Sequence, residues 1–391
     1  MPARMTSRQR MLAAIHHDPV DRVPVAPWGL GRIDRHSSLG RRLIARTDPW
    51  LEIDTGCHIW GGAAFPAVER RDGPRRIQTV HAPGRTLTAV WTTTARTTAC
   101  TEPLCKDVAD VEALLAIPYV DPHPDLDAWR AWRAWAADDG LAVMGLGNAL
   151  CFPNDVLGTE TCSLLWASQP DVIRHMVAVA AERVYRVVEE ACRGGVDCFR
   201  IVGGEYATQL MGPRAWDELV VPYDRPLIDL IHAHGAIAHY HNHGNMRRFL
   251  HRIADLGIDS LDPIEQPPYG DIDMADAMAR VGDRGGGRVC LVGGLDDMEV
   301  LETRPLPEVL RLAADLLDRV GPRGYMLAGT SSGIFDAPAA HAFIALVDLA
   351  EHRGMERGYA RILRIDADLG IKPEITGTLI SIPSVTSVFC G

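Results

Sequence analysis

Three histidines at spacing two close an apolar run. Ala236-Ile237-Ala238 leads into His239-Tyr240-His241-Asn242-His243, and Gly244-Asn245 follows as a turn. Side chains alternate along an extended strand, so His239, His241 and His243 are expected on one face. Imidazole is the commonest protein metal ligand and titrates near neutral pH, so such a face can hold an ion or move a proton. The expectation is a metal or active site. Three unrelated polar residues near a turn are the plainer alternative.

Strands and helices must alternate to present that face. Thr6-Ser7-Arg8-Gln9 before Met11–Ile15 reads as a capped helix, and Asp21-Arg22-Val23-Pro24-Val25 leads into a first strand. The β-rich runs Arg76–Val80 and Thr86–Trp91 flank Pro83-Gly84, a hairpin signal. Asp107–Ala116 is a short helix. Trp129, Trp132 and Trp135 recur at helical spacing, a pattern of packing rather than of a cofactor site. From residue 141 the rhythm is strand then helix. Strands are expected at Leu141–Leu146, Val196–Val202, Ala236–His241, Ile258–Leu261, Arg288–Val292 and Tyr325–Ala328. Helices are expected over Thr159–Trp166, Asp171–Arg193, Pro213–His234 and Met246–Leu256. Such alternation makes a parallel sheet, and the number of units suggests a closed (β/α)8 barrel. Barrel chemistry gathers at the strand C-termini, and polar residues fall there: Glu205-Tyr206, the histidines, Asp262–Glu265, Asp296 and Thr330-Ser331-Ser332.

Composition narrows the class. The 391 residues are 47% hydrophobic, enough for a large core. The net charge of −11, without a basic run, argues against nucleic acid. No apolar stretch approaches the roughly 20 residues that span a bilayer, and the start lacks a secretory pattern. Nine scattered cysteines without a CxxC pair read as reduced thiols of a cytoplasmic enzyme.

At this point the residues resemble a family. Thr6-Ser7-Arg8-Gln9-Arg10, His17-Asp18-Pro19-Val20-Asp21-Arg22-Val23-Pro24, the Ala82-Pro83-Gly84 hairpin, Gly195-Val196-Asp197, Pro213, Pro222-Tyr223 and His234-Gly235 before His241-x-His243-Gly244-Asn245 are similar to the uroporphyrinogen decarboxylase superfamily. The similarity runs from about residue 5 to 352. It implies an α/β fold, a single (β/α)8 TIM-type barrel over residues 1–370. An N-terminal helical and hairpin extension (1–140) would precede the strand-helix repeat (141–352), with a peripheral tail at 374–391. The decarboxylases hold carboxylates with an N-terminal arginine pair. Here Pro27-Trp28-Gly29-Leu30-Gly31-Arg32 keeps one Trp and one Arg of that motif, and Ser332 stands where the decarboxylases carry a late histidine.

The corrinoid methyltransferase branch resembles the chain more closely. Its zinc motif, His-x-Cys-Gly with a distant Cys, falls on His241-x-His243-Gly244, with His243 for the first Cys and Ser332 for the second. Cobalamin-independent methionine synthases add a Glu 22 residues after their Cys, and Glu265 stands 22 after His243. The resemblance thus implies a metal held by His241, His243 and Glu265, with zinc the default and Fe(II) or Mn(II) also compatible. Two imidazoles and a carboxylate suit an oxygen ligand, which favours demethylation of an oxygen-linked methyl over thiol methylation. Glu205 or Tyr206 would position or deprotonate substrate. Asn148, Arg200, His239, Asn245 and Ser332 would line the substrate site, with His239 or Asn245 bonding a ligand imidazole. Arg200, in an apolar strand, needs a partner such as Glu205 or Asp262. The implied partners are a small-molecule substrate and a corrinoid (methylcobalamin) as co-substrate, carried by a separate protein. A decarboxylase, a metal-dependent hydrolase or lyase, and a non-catalytic binding barrel stay open as alternatives.

Overall fold

A computed structural model describes residues 4–94, 98–282 and 289–368, with side chains to residue 353. The tail expected at 374–391 lies outside the described residues. Among the described residues eleven strands form two sheets. β1 (Trp50–Ile53), β6 (Leu141–Gly147), β7 (Cys198–Val202), β8 (Ile237–His241), β9 (Ser260–Ile264), β10 (Cys290–Gly294) and β11 (Tyr325–Ala328) make one parallel sheet in that order. β2 (Ala67–Asp72), β3 (Arg75–Ala82), β4 (Arg85–Thr93) and β5 (Thr98–Glu102) form an antiparallel sheet around the expected Pro83-Gly84 hairpin.

The eight barrel strands expected from the resemblance are seven strands and a bridging segment. Val25 bridges Leu327 of β11, and Trp28 bridges Trp50 of β1, so residues 25–28 pair with both edges of the parallel sheet. Backbone bonds from Ala26 to Leu327 (2.8 Å) and from Trp50 to Pro27 (3.0 Å) hold them there. Pro24 and Pro27 remove N–H donors, which keeps this stretch from forming a regular ladder. The stretch before residue 141 therefore supplies a strand and this bridge, not only an outer extension.

Alternation along the strands sorts two cores. The helix-facing residues join the larger one, while Trp50, Leu141, Val143, Cys198, Ile237, Cys290, Val292, Met326 and Ala328 point inward. The N-terminal helix Ser7–Ile15, closed by the Thr6–Gln9 capping box, adds Met11, Ala14 and Ile15 to this interior. It was expected outside the strand repeat, but it plugs the strand N-termini.

Most helices match their periodicity, including Thr159–Ser168 and Pro170–Arg193. The helix expected over Met246–Leu256 is only Leu250–Ala254. The strand expected at Ile258–Leu261 is shifted to Ser260–Ile264, which puts Asp262 inside a strand rather than after it. No helix among the described residues is long and apolar enough to cross a membrane. All eight described cysteines are free.

Candidate active site at the barrel mouth

The strand period that buries the apolar layer also turns Glu52, Arg200, His239, His241 and Asp262 inward, toward the C-terminal ends. β8 ends at His241, so only His239 and His241 share the strand face; His243 sits beyond it in the loop. His239 is fully buried and stacks on Trp50 at 4.3 Å and Trp28 at 5.5 Å between ring centroids. Its Nδ1 lies 2.8 Å from Ser260 Oγ and its Nε2 3.0 Å from Asp262 Oδ1. From this depth it supports Asp262.

Asp262 joins both strand histidines, with His241 Nδ1 2.9 Å from the same oxygen. Burial opposes its charge, yet His239, His241 and Arg200 together hold the carboxyl well below the usual range. His241 goes the other way. Burial, aided by Arg200, lowers its pKa to about 4, so the ring is neutral at neutral pH. Arg200 Nη2 lies 2.8 Å from His241 Nδ1, the nitrogen that also faces Asp262, and 3.4 Å from Nε2.

Arg200 finds a partner the sequence did not single out. Its guanidinium lies 3.8 Å over the Trp28 ring, and Nη1 is 3.2 Å from Glu52 Oε2, which also accepts from Trp28 Nε1 at 2.9 Å. A Cβ on Gly145 would stand 2.3 Å from Glu52 Oε1, so glycine there makes room for the carboxylate. These groups open into a cavity of about 470 Å³ that Ser332 also lines. Across it stand Trp132 and Trp135, with the Arg35 guanidinium 4.9 Å over Trp135. Only Trp129 of the tryptophan stripe is core, at 2% exposure; the other two wall the mouth.

His243 is half-exposed and pairs with Glu265, Nδ1 to Oε1 at 3.3 Å. Glu265 Oε2 accepts from Gly244 N at 2.6 Å. Gly244 has φ +80°, and a Cβ would meet the Gln209 side chain. Burial alone would lower the His243 pKa, but Glu265 and the acidic groups nearby raise it above the ordinary histidine value. Glu265 is correspondingly held below its usual range, the pairing with His243 and the Gly244 bond outweighing burial.

The other expected residues divide. Glu205 Oε2 accepts from Gly203 N at 3.0 Å. Tyr206 begins a π-helical turn, Tyr206–Met211, and burial raises its pKa, so its phenol is a donor and not a base. Asn148 is fully buried: Nδ2 donates to Asp224 at 2.9 Å and Oδ1 accepts from Leu150 N at 3.1 Å, which commits it to structure. Asp224, also bonded by Tyr240, is pushed up by burial to about 7. Ser332 donates to buried Asp297 at 2.7 Å, and Asn245 is exposed beside Gln209.

The implied metal site can be tested on these contacts. His243 and Glu265 face each other, and the His241 and His243 rings are edge-to-face at 4.4 Å. Yet His241 Nδ1 sits between Asp262 at 2.9 Å and the Arg200 cation at 2.8 Å, and the same cation stands 3.4 Å from Nε2. Among the described residues no group of three or more His, Cys, Asp or Glu side chains is arranged to hold an ion. As placed, the three donors do not fit one.

A methyltransferase from Methanosarcina mazei shares the fold, with a TM-score of 0.57 at 14% identity over 88% of this chain and 98% of that one. A B12-independent methionine synthase from Shewanella sp. W3-18-1 gives a TM-score of 0.43 at 9% identity, over 74% and 78% of the two chains. No curated protein matches by sequence. The family described as uroporphyrinogen decarboxylase (URO-D) matches residues 155–351, half of the chain, and spans β7 to β11 with the histidines and Glu265. The chain belongs to the uroporphyrinogen decarboxylase family.

Proposed function

We propose that the protein is an alkyl-transfer enzyme of the family's methyltransferase type, demethylating an oxygen-linked methyl group at the barrel mouth. The observation that carries this reading is the His243–Glu265 pair, whose carboxylate favours the protonated imidazole, beside the fixed Arg200–His241–Asp262 network. Methyl transfer breaks a C–O bond and leaves an oxygen anion, a poor leaving group unless protonated. A cationic His243 can deliver that proton, and Glu265 keeps it charged until then. Arg200 and Glu52 line the neighbouring cavity, whose flat apolar walls are Trp28, Trp132 and Trp135, while Glu265 lines a separate one. A corrinoid carried by a separate protein, or a thiolate, would supply the nucleophile. A metal on His241 would first have to displace the Arg200 guanidinium.

The test is methyl transfer from alkyl and aryl methyl ethers to cob(I)alamin, with wild type and His243→Gln. Loss of the acid should cost about 100- to 10,000-fold in kcat with alkyl ethers and much less with aryl ethers, whose leaving oxygen needs less help. An equal loss on both series removes the acid role, and absence of any methyl transfer removes the reading. Arg35 and Arg200 on one cavity favour a second reading, decarboxylation of a carboxylate-bearing substrate. Release of CO2 without methyl transfer would establish it.

A further inference from the structure

A second cavity, of about 620 Å³, lies between the antiparallel sheet and the helix Cys151–Leu157. It shares no lining residue with the mouth cavity, and its volume falls in the range of small-molecule sites. Its walls are aromatic: Trp60, Phe65, Trp91 and Phe152, with Trp60 and Phe152 at 5.7 Å between ring centroids.

The charges on these walls do not cancel. Arg76 is paired with Glu69 at 2.7 Å and lies 4.0 Å over the face of Trp91, so one ring already seats a cation. Asp155 accepts from Trp60 Nε1 at 2.8 Å but has no ion-pair partner among the described residues. The Asp155 side chain is itself open to solvent. The neighbouring Asn154 also lines the cavity, and its Oδ1 is buried without a hydrogen-bond partner. Burial lowers the His58 pKa, so this ring adds no positive charge at neutral pH. What remains is one uncompensated carboxylate beside aromatic rings, of which Phe65 also stacks on His58 at 4.8 Å and Phe152 has Arg183 5.7 Å over it. An anion would meet the wrong charge, and a hard metal ion would find too few oxygens.

We propose that this cavity binds an organic cation of the alkylated-ammonium class, its charge against Asp155 and its alkyl groups on Trp60, Phe65 and Phe152. Ring faces attract such cations electrostatically and cover their alkyl surface, and the carboxylate supplies the counter-charge. The site is independent of the chemistry at the mouth.

Choline and its neutral isostere 3,3-dimethyl-1-butanol separate charge from shape. The full chain is titrated with each, read by tryptophan fluorescence, since Trp60 and Trp91 line the cavity, and by calorimetry. Choline should bind saturably and at least tenfold more tightly than the alcohol. Asp155→Asn should remove that preference, and Phe65→Leu should weaken choline severalfold. Each variant is checked by its thermal unfolding. If Asp155→Asn does not fold, the comparison of choline and alcohol on the wild type and on Phe65→Leu decides. Equal binding of the two probes, no saturable choline binding by the folded protein, or an unchanged preference in a folded Asp155→Asn variant overturns the proposal.

Discussion

His241 and His243 stand two residues apart, yet their surroundings drive their protonation in opposite directions. His241, buried beside Arg200, is lowered to about 4, whereas His243 beside Glu265 is raised above the ordinary value. A general acid works only while protonated. Activity should therefore fall as pH rises through the raised His243 pKa, above 6.5, and fall again at low pH as Glu265 is protonated. Glu265→Gln removes the carboxylate that holds His243 up, so the basic limb should move to lower pH. A pH profile of kcat/KM checks this, and an unmoved basic limb would assign it to another group. The same comparison shows why β8 does not present three equivalent ligands: the strand stops at His241, and the loop turns His243 toward Glu265.

At the scale of elements, the segment bridging β11 and β1 depends on a buried charge network. Asp48 is fully buried, with Arg10 and Arg22 almost so, and its Oδ2 accepts from Val25 N at 2.9 Å and from Arg22 at 2.6 Å. Arg10 also binds Asp21, which ties the N-terminal plug to the same knot. Removing one member of a buried set leaves the others uncompensated, at a cost of about 3–5 kcal/mol. Asp48→Ala should lower the stability by that amount, read from urea unfolding midpoints at constant m-value. A loss under about 1 kcal/mol would mean that the bridge is held by its backbone bonds and by Trp28 packing instead.

For the whole molecule, the polar layer at the mouth is built around the Arg200 guanidinium. Purified protein should accordingly contain no stoichiometric zinc, iron or manganese by elemental analysis, and exhaustive chelation should leave turnover intact. One equivalent of metal in the wild type, lost in His243→Ala, would instead put His241, His243 and Glu265 on the ion with Arg200 displaced. Ser332 donates to Asp297, so it is spent on the loop after β11.

What the sequence determined by itself was periodic or local. Strand-helix alternation, the Thr6–Gln9 cap, the Pro83-Gly84 hairpin and the polar residues gathered after the strands were legible because each depends on neighbours a few residues away. Tyr325–Ala328 was placed to the residue. Tertiary structure decided the rest. Glu52 and Arg200 are 148 residues apart and meet only because β1 and β7 flank β6. Asp262 became a buried partner of two histidines once β9 began at Ser260. The edge bridge at Val25–Trp28 sits in a proline-bracketed stretch with no strand period to announce it. Long-range pairing leaves no local pattern: whether His241 faces an ion or an arginine depends on which strand lies beside it.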